Sequence, residues 1–561
     1  MGSIYTYRNT TDFNGNLSHS NKQNFRNLIN DNGGISQNCL DVVLNGDVVE
    51  VWFENPLTHP EEAVLASLVT LRYNDAYYFD ATVDCKGTGD YVKIADAFAA
   101  GKTSVYVRDG TYIETANIVL PDGGQLIGES QSNVKIVLVA GNSIVVDGSK
   151  GVKINTGTIA IANHSQTVIG TGTTFTSILP ASFILLGTNF YTIASVESDT
   201  SLTLADTYSG GALAGVTCLA QQMFTGVKIS NVVIVNPPGS PYSTTGLYLR
   251  GLRHCSFKGI AALYCTPNIQ VLDTGDCSLY EFICGFSNGV GLAIDNVHSV
   301  LWDTLDVYNS TSHGIQLTTR CSSNVFHSCS SSNNGGNGLS ISADSYDVNI
   351  SNGVIKHNND RGLFADAGSS KIIVSCCTFI DNISHGVHLL CSNSVASNNI
   401  IDNNKANGVV GGGTNCIVTG NQITNNTGDG LAYIAGESCV ISTNRIDSNG
   451  GHGINVVDNH AIISGNIVCN NGACGILSGS TNGNIAMNNV HDNASHGLEL
   501  TAASSLCIVG QNQINLNTGT GLLIDAGSSN SILTNNIVLS NIAANLTDNG
   551  SGNVLNGNKT S

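Results

Sequence analysis

The sequence predicts an all-β chain wound as a single-stranded right-handed parallel β-helix, and three observations lead there. A Gly followed by Leu, Ile or Val recurs at Gly246, Gly291, Gly314, Gly338, Gly362, Gly386, Gly408, Gly430, Gly453, Gly475, Gly497 and Gly521. After one gap of 45 the spacing holds between 22 and 24 residues, and the long gap is two turns whose middle glycine is replaced at Asn268–Ile269. The text between the glycines repeats as well, as in GNQITNN, TNRIDSN, SGNIVCN and AMNNVHDN. A fixed period of this size is the mark of a solenoid. The third observation is local: short β-branched runs alternate with Asn, Gly, Asp and Ser turns, so each period supplies two or three short strands that pair with their copies one period later. Leucine-rich repeats need a Leu consensus that is absent, and helical repeats are longer and poor in Asn and Gly. About 13 repeat coils of 22–24 residues follow.

Composition agrees. Only 11% of the 561 residues are charged, yet 41% are hydrophobic, enough to build a core. A net charge of −19 without any basic run excludes nucleic acid as a partner, because that affinity rests on clustered Lys and Arg. No apolar segment is long enough for a membrane span. The 17 Cys form no CxxC pair and have no clustered His beside them, so neither a metal site nor a disulfide framework is expected, and no cofactor is implied. Cys416, Cys439 and Cys507 recur eight to ten residues after a repeat glycine, as buried thiols stacked coil upon coil would. Such thiols suit a protein made in a reducing host cytoplasm.

Four regions are expected in chain order. Residues 1–80 form an α+β attachment or docking region whose DVVEVWFENPLTHPEEAVLASLVTLRYND reads strand, turn and a helix carrying Val64, Leu65, Leu68, Val69 and Leu71. Gly2 and Thr6 fit the loose myristoylation pattern, which chance or a cloning scar explains better. Residues 81–154 hold a capping helix, with Asp90 as N-cap, Ile94, Ala97 and Phe98 on one face and Gly101 as stop, and then the first coils. Residues 155–220 are dense in strand and Thr and too long for a structureless loop, so a small antiparallel β module is expected there. Residues 221–561 are the β-helix proper.

The helix GDYVKIADAFAAG followed by VYVRDGTY resembles the opening of pectate-lyase-like β-helices, including phage tailspikes and large-virus spikes. The 155–220 module is similar to modules of phage tail fibres and spikes. The arrangement of Phe53, Pro56, Leu57, Glu61 and Leu65 resembles segments of phage and large-virus structural proteins. These resemblances imply a protein of the virion surface.

Gly451-His452-Gly453 resembles the Gly-His-Gly of polygalacturonases. Those enzymes also carry an Asp-Asp and an Arg-x-Lys, and the chain has neither, so His452 stands alone. The residue before each repeat glycine reads His313, Asn337, Arg361, His385, Asn407, Asp429, His452, Cys474, His496 and Thr520. His452 is therefore a corner residue, and Asn, Asp and His suggest a left-handed turn position. Better candidates lie two and four residues after a glycine, pointing outward: Phe364 and Asp366 one coil below His388 and Leu390, with Arg361 and His385 at the nearby corner. An aromatic, a carboxylate, a guanidinium and two imidazoles could hold a sugar. A second group holds Asp295, His298, Trp302, Asp303, Asp306 and Tyr308. A 24-residue step maps Trp302 onto Phe326, Ile350 and Val374, a core stack, which leaves Asp303 outward.

The expectation is a virion-associated spike, fibre or capsid-decorating protein that contacts a host-surface polysaccharide or a capsid or tail protein, with a homotrimer as the assembly that the tailspike resemblance implies. Arg361, Phe364, Asp366, His385 and His388 are the glycan-binding candidates. The balance of residues is against catalysis. If the chain is an enzyme, it is a polysaccharide lyase or glycoside hydrolase on the same scaffold, with Asp366, His388 and Asp303 as catalytic candidates, since such chemistry needs convergent carboxylates or a base.

Overall fold

The computed structural model describes residues 3–8, 39–45, 48–53, 55–58, 60–62, 64–65, 79–139, 141–150, 153–178, 182–187, 189–208, 210–237, 244–342, 344–434 and 436–561. The chain divides into two compact units, Met1–Arg108 and Asp109–Ser561.

In the first unit, strands Ser3–Arg8, Cys39–Asn45 and Val48–Phe53 form an antiparallel sheet with the last in the middle. The alternation of Val48–Phe53 buries Val49, Val51 and Phe53. Past this sheet, Glu61 Oε2 accepts the N–H of Thr58 at 2.8 Å and its hydroxyl at 2.7 Å, a capping-box contact at the start of a helical turn. Leu65 of the expected apolar helix face is buried and Val64 half-buried; Leu68, Val69 and Leu71, like Gly2, lie outside the described residues. The capping helix is Ile94–Ala99, with Ile94, Ala95, Ala97 and Phe98 buried. Asp90 is not its N-cap. Lys93 occupies that position without a side-chain bond, because the Asp90 carboxylate already accepts the N–H of Thr82 at 2.8 Å. Gly101 does end the helix, at φ +81°.

The second unit is a parallel solenoid interrupted once. Its glycine-led sheet holds 16 strands, from Ile118–Val119 to Ala544–Asp548, each paired in parallel with its copy one coil on. In the coil after Gly453 the strands are Ile454–Val456, Ile462–Ser464 and Ile467–Cys469. The solenoid has about 19 turns, more than the 13 that the glycine spacing marks. Part of the difference is steric. A Cβ on Gly453 would lie against Val468 Cγ1, with Gly475 O and Asn471 Nδ2 only 2.6 and 2.8 Å away. Glycine is therefore required where coils approach this closely. The first two strands of that sheet follow Asn117 and Ser143 instead, and the last has Asn545 in register with Gly521.

Two ladders of buried Asn hold the corners. From Asn449 through Asn471, Asn493 and Asn517 to Asn541, each Oδ1 accepts the preceding Asn's backbone N–H at 3.0–3.1 Å. Asn444, Asn466, Asn488, Asn512 and Asn536 do the same at the other corner, at 2.9–3.0 Å. The left-handed residue is the one before each ladder Asn, such as Ser448, Asn470, Asp492 and Leu516, so the stacking and the strained backbone fall on different residues. Cys416, Cys439 and Cys507 share one buried slot, and burial pushes the Cys439 and Cys507 thiols upward.

The interruption is an eight-stranded antiparallel arrangement spanning Lys153–Gln221 with its own core, which includes Ile159, Val168, Phe175, Ile184, Ile193 and Leu202.

Candidate functional site

The corner slot before each glycine proves to be a hydrogen-bond ladder. His313 Nδ1 accepts the N–H of Asn337 at 2.9 Å, and Asn337 Oδ1 that of Arg361 at 3.1 Å. Further on, His385 serves Asn407, Asn407 serves Asp429, Asp429 serves His452, and His452 Nδ1 serves Cys474 at 3.2 Å. None of these residues has a positive φ, which corrects the left-handed expectation. Asn, Asp and His recur here because each offers an acceptor at the right height. His452 is a rung of that ladder.

Arg361 and His385 share the slot but break the ladder between them, and there a cluster forms. Phe364 pairs in register with His388 across adjacent coils. Their rings meet edge to face at 5.4 Å between centroids, and His385 meets His388 the same way at 5.1 Å. The Arg361 guanidinium lies 4.8 Å from the Phe364 ring centroid and reaches Asp360 at 3.1 Å. Burial, then the neighbouring His385 and Arg361, pull His388 down to about 4; burial and Arg361 also lower His385. Both rings are thus neutral at pH 7. His388 Nδ1 and Arg361 Nε are buried without a hydrogen-bond partner.

The other candidates are placed elsewhere. Asp366 takes no part in the ring contacts: its Oδ1 accepts the N–H of Ala367 at 2.6 Å. Asp303 faces outward but is bound to His327 Nδ1 at 2.8 Å, while His327 Nε2 meets the Asn352 amide at 3.0 Å. Both ring nitrogens are engaged, so that pair is a surface ladder. Trp302 is fully buried, stacked on Phe326 at 5.6 Å, and continues through Ile350 to Val374 as the 24-residue step requires.

A family model described as "Right handed beta helix region" matches residues 214–405, 328–438 and 409–560. The chain belongs to that family. Among solved structures, this β-helix is similar to the Gp54 tailspike of Acinetobacter baumannii bacteriophage AP22 in complex with A. baumannii capsular saccharide. The identity is 12% over 87% of this chain and 78% of that one, with a TM-score of 0.40. The Pseudomonas phage phi297 tailspike gp61 is 10% identical over 83% and 72%, with a TM-score of 0.36. The Azotobacter vinelandii mannuronan C-5 epimerase AlgE6 A-module is 15% identical over 83% and 93%, with a TM-score of 0.24. No curated protein matches the sequence.

The sequence reading named Tyr308 and His298 in its second group but missed the two arrangements they belong to. Tyr264 and Phe286 stack in parallel at 4.9 Å, and Tyr308 meets Phe286 edge-on at 5.4 Å. Stepping one coil at a time from Tyr264 would have found them. The other is a network along the corner of the early coils. Arg250 Nε donates to Asp273 at 2.9 Å, Asn296 Nδ2 to Asp273 at 2.8 Å, and His298 bridges Asn296 Oδ1 and Ser322 Oγ at 3.1 and 2.7 Å. Burial, then the Arg320 charge, pulls His298 down to about 4. No motif marks this network, since it joins single residues from successive coils.

Proposed function

We propose that this β-helix is a virion-surface protein that contacts a glycan through Arg361, Phe364, His385 and His388, binding it rather than cleaving it. The observation that carries this reading is the pair of unpartnered polar nitrogens, His388 Nδ1 and Arg361 Nε, beside the half-buried ring of Phe364. A buried polar group without a partner costs about 1–3 kcal/mol. A sugar hydroxyl, which both donates and accepts, relieves that cost at either nitrogen after a small side-chain shift, while the ring edge packs on the sugar's C–H groups. Neutral histidines suit this role, because they present a donor and an acceptor without a charge to desolvate. The virion part of the reading rests on the inserted module and the Phe53–Leu65 segment, and it assigns the N-terminal unit to docking on a capsid or tail protein.

The test is titration with a panel of surface polysaccharides, following heat of binding together with unsaturated products and new reducing ends. Binding that falls about tenfold in Phe364→Ala, without chain shortening, is the expected result. Chain shortening that vanishes in Asp366→Ala or Asp303→Ala would replace this reading with a depolymerase. Antibody label on intact particles checks the location.

A further inference from the structure

The antiparallel sheet of residues 153–221 does not close down on the solenoid. Between them lies a cleft of about 770 Å³, with Leu185, Val216 and Leu219 on the module side and Asp273, His298 and Arg320 among the solenoid residues. A smaller hollow of about 250 Å³ shares His298 and reaches Tyr191 and Asp206 of the module and Arg253 of the solenoid. The larger volume suits a small organic ligand.

The floor is built in advance of any ligand. The Arg250–Asp273–Asn296–His298–Ser322 network runs from coil to coil, and Ser322 bridges in parallel to Tyr346 one coil on. Coils lie about 4.8 Å apart, so a polar group is offered at each step. Arg253 is held from two sides, with its Nε 2.6 Å from Asp276 and its guanidinium 4.6 Å from the Phe183 ring centroid of the module. Its Nη1 remains buried without a partner. Fixed groups lose little freedom on binding, so their hydrogen bonds are strengthened in effect.

Charge selects the ligand. The two hollows are lined by Asp206, Asp273, Asp276 and Asp344 against Arg253 and Arg320; Arg250 pairs with Asp273 and Arg253 with Asp276, which leaves Asp206 and Asp344 against Arg320. An acidic ligand meets net repulsion in a protein already at −19. We propose that this cleft binds a neutral, hydroxyl-rich oligosaccharide lying along the coils beneath the inserted sheet. Its hydroxyls donate to the Asp oxygens and accept from Asn296, Arg253 and Arg320, leaving no charge newly exposed or unpaired. The rings of Tyr191 and Tyr346 and the side chains of Leu185 and Val216 meet its C–H faces. This site is separate from the Phe364 cluster and does not depend on it.

The experiment combines calorimetry and hydrogen exchange on the full chain with malto-, cello-, manno- and galacto-oligosaccharides, and with an oligogalacturonate as the acidic control. At least one neutral member is expected to bind and to slow exchange at residues 213–221 and 344–346. Thr217→Trp, which fills the cleft from an exposed module position, is expected to weaken that binding at least about tenfold with an unchanged melting temperature. The proposal is overturned if no neutral member binds, if only the oligogalacturonate binds, or if Thr217→Trp has no effect. Protection confined to residues 361–365 and 385–389 also overturns it, while supporting the Phe364 reading. Protection confined to the cleft does the reverse.

Discussion

The coils after about residue 395 and those before it are built on one plan but serve different ends. In the later coils the strands at the Asn corners are three residues long, as at Val395–Ser397 and Ile400–Asp402, and an Asn ladder runs through each corner. From residue 380 onward Tyr433 is the only aromatic, and it is buried with its hydroxyl on the Gly413 carbonyl. In the earlier coils Ser256–Leu263, Ser278–Gly285 and Leu301–Tyr308 run eight residues through the corner where the Asn ladder later sits, with left-handed Glu281 and Thr304 within the last two. Rings, ion pairs and a buried histidine gather there. A repeat that satisfies every corner with the same amide is stable and chemically silent. Where the repeat is broken, the coil has to find other partners, and side chains able to hold a ligand come together.

The sharpest way to break this contrast is to remove one rung from the silent half. Asn471 Oδ1 accepts both the N–H and the amide of Asn449, at 3.1 and 3.0 Å, and its own Nδ2 donates to Asn493 and Ile446. Asn471→Ala leaves the buried Asn449 N–H unpaired, at about 1–3 kcal/mol, and removes three further hydrogen bonds at about 1 kcal/mol each, so a loss of about 4 kcal/mol is expected in urea unfolding. Because a solenoid is held coil to coil, faster hydrogen exchange should spread over residues 445–495 and spare residues 247–310. Uniform loosening, or none, would mean that the ladder is not what holds the later coils.

Acid should act on the other half. His298 takes a proton at about 6.5 in the unfolded chain but only at about 4 when folded, chiefly because burial disfavours its charge. Its contribution is unchanged above the unfolded value. As pH falls from about 6.5 to 4, the unfolded state binds the proton first and stability drops, by about 3 kcal/mol in all; below 4 the loss levels off. His388 adds a smaller loss of the same sign, reduced because its side chain is half-exposed. Urea unfolding at pH 7, 5.5 and 4 checks the slope. His298→Gln should flatten it, and exchange at pH 5 should rise first in residues 292–325.

What was legible in the sequence follows the same divide. The glycine spacing carries the register of the later coils because a close approach leaves room for no side chain, and steric exclusion is written in residue identity. The Trp302–Phe326–Ile350–Val374 stack was legible for a related reason, since a fixed step and a fixed inward face determine it. The coils that begin after Asn117 and Ser143 lacked the glycine and went uncounted. Asp90 looked like a cap from its position, yet the N–H of Thr82 in the strand just before it claimed its carboxylate. The cleft was invisible, because where an inserted sheet comes to rest depends on packing between surfaces that share no motif. Of the Arg361, Phe364, Asp366, His385 and His388 group, the repeat brought four together. Asp366 sits at the strand's end, where its own next N–H was nearer.

The smallest expected effect concerns the residue most easily mistaken for a catalyst. His452 accepts from Cys474 N–H and receives nothing comparable to the ring contacts around His388. If it is only a rung, any side chain with an acceptor at that height will serve. His452→Ala should cost about 1 kcal/mol in urea unfolding, by leaving one half-buried N–H unpaired. His452→Asn should restore nearly all of it, because Asn407 and Asn337 already do this work two or more coils away. Saccharide affinity should be the same in both variants as in the parent chain. A variant that keeps its stability but loses saccharide binding or turnover would instead show that a silent coil carries chemistry, and the division between the two halves would fall.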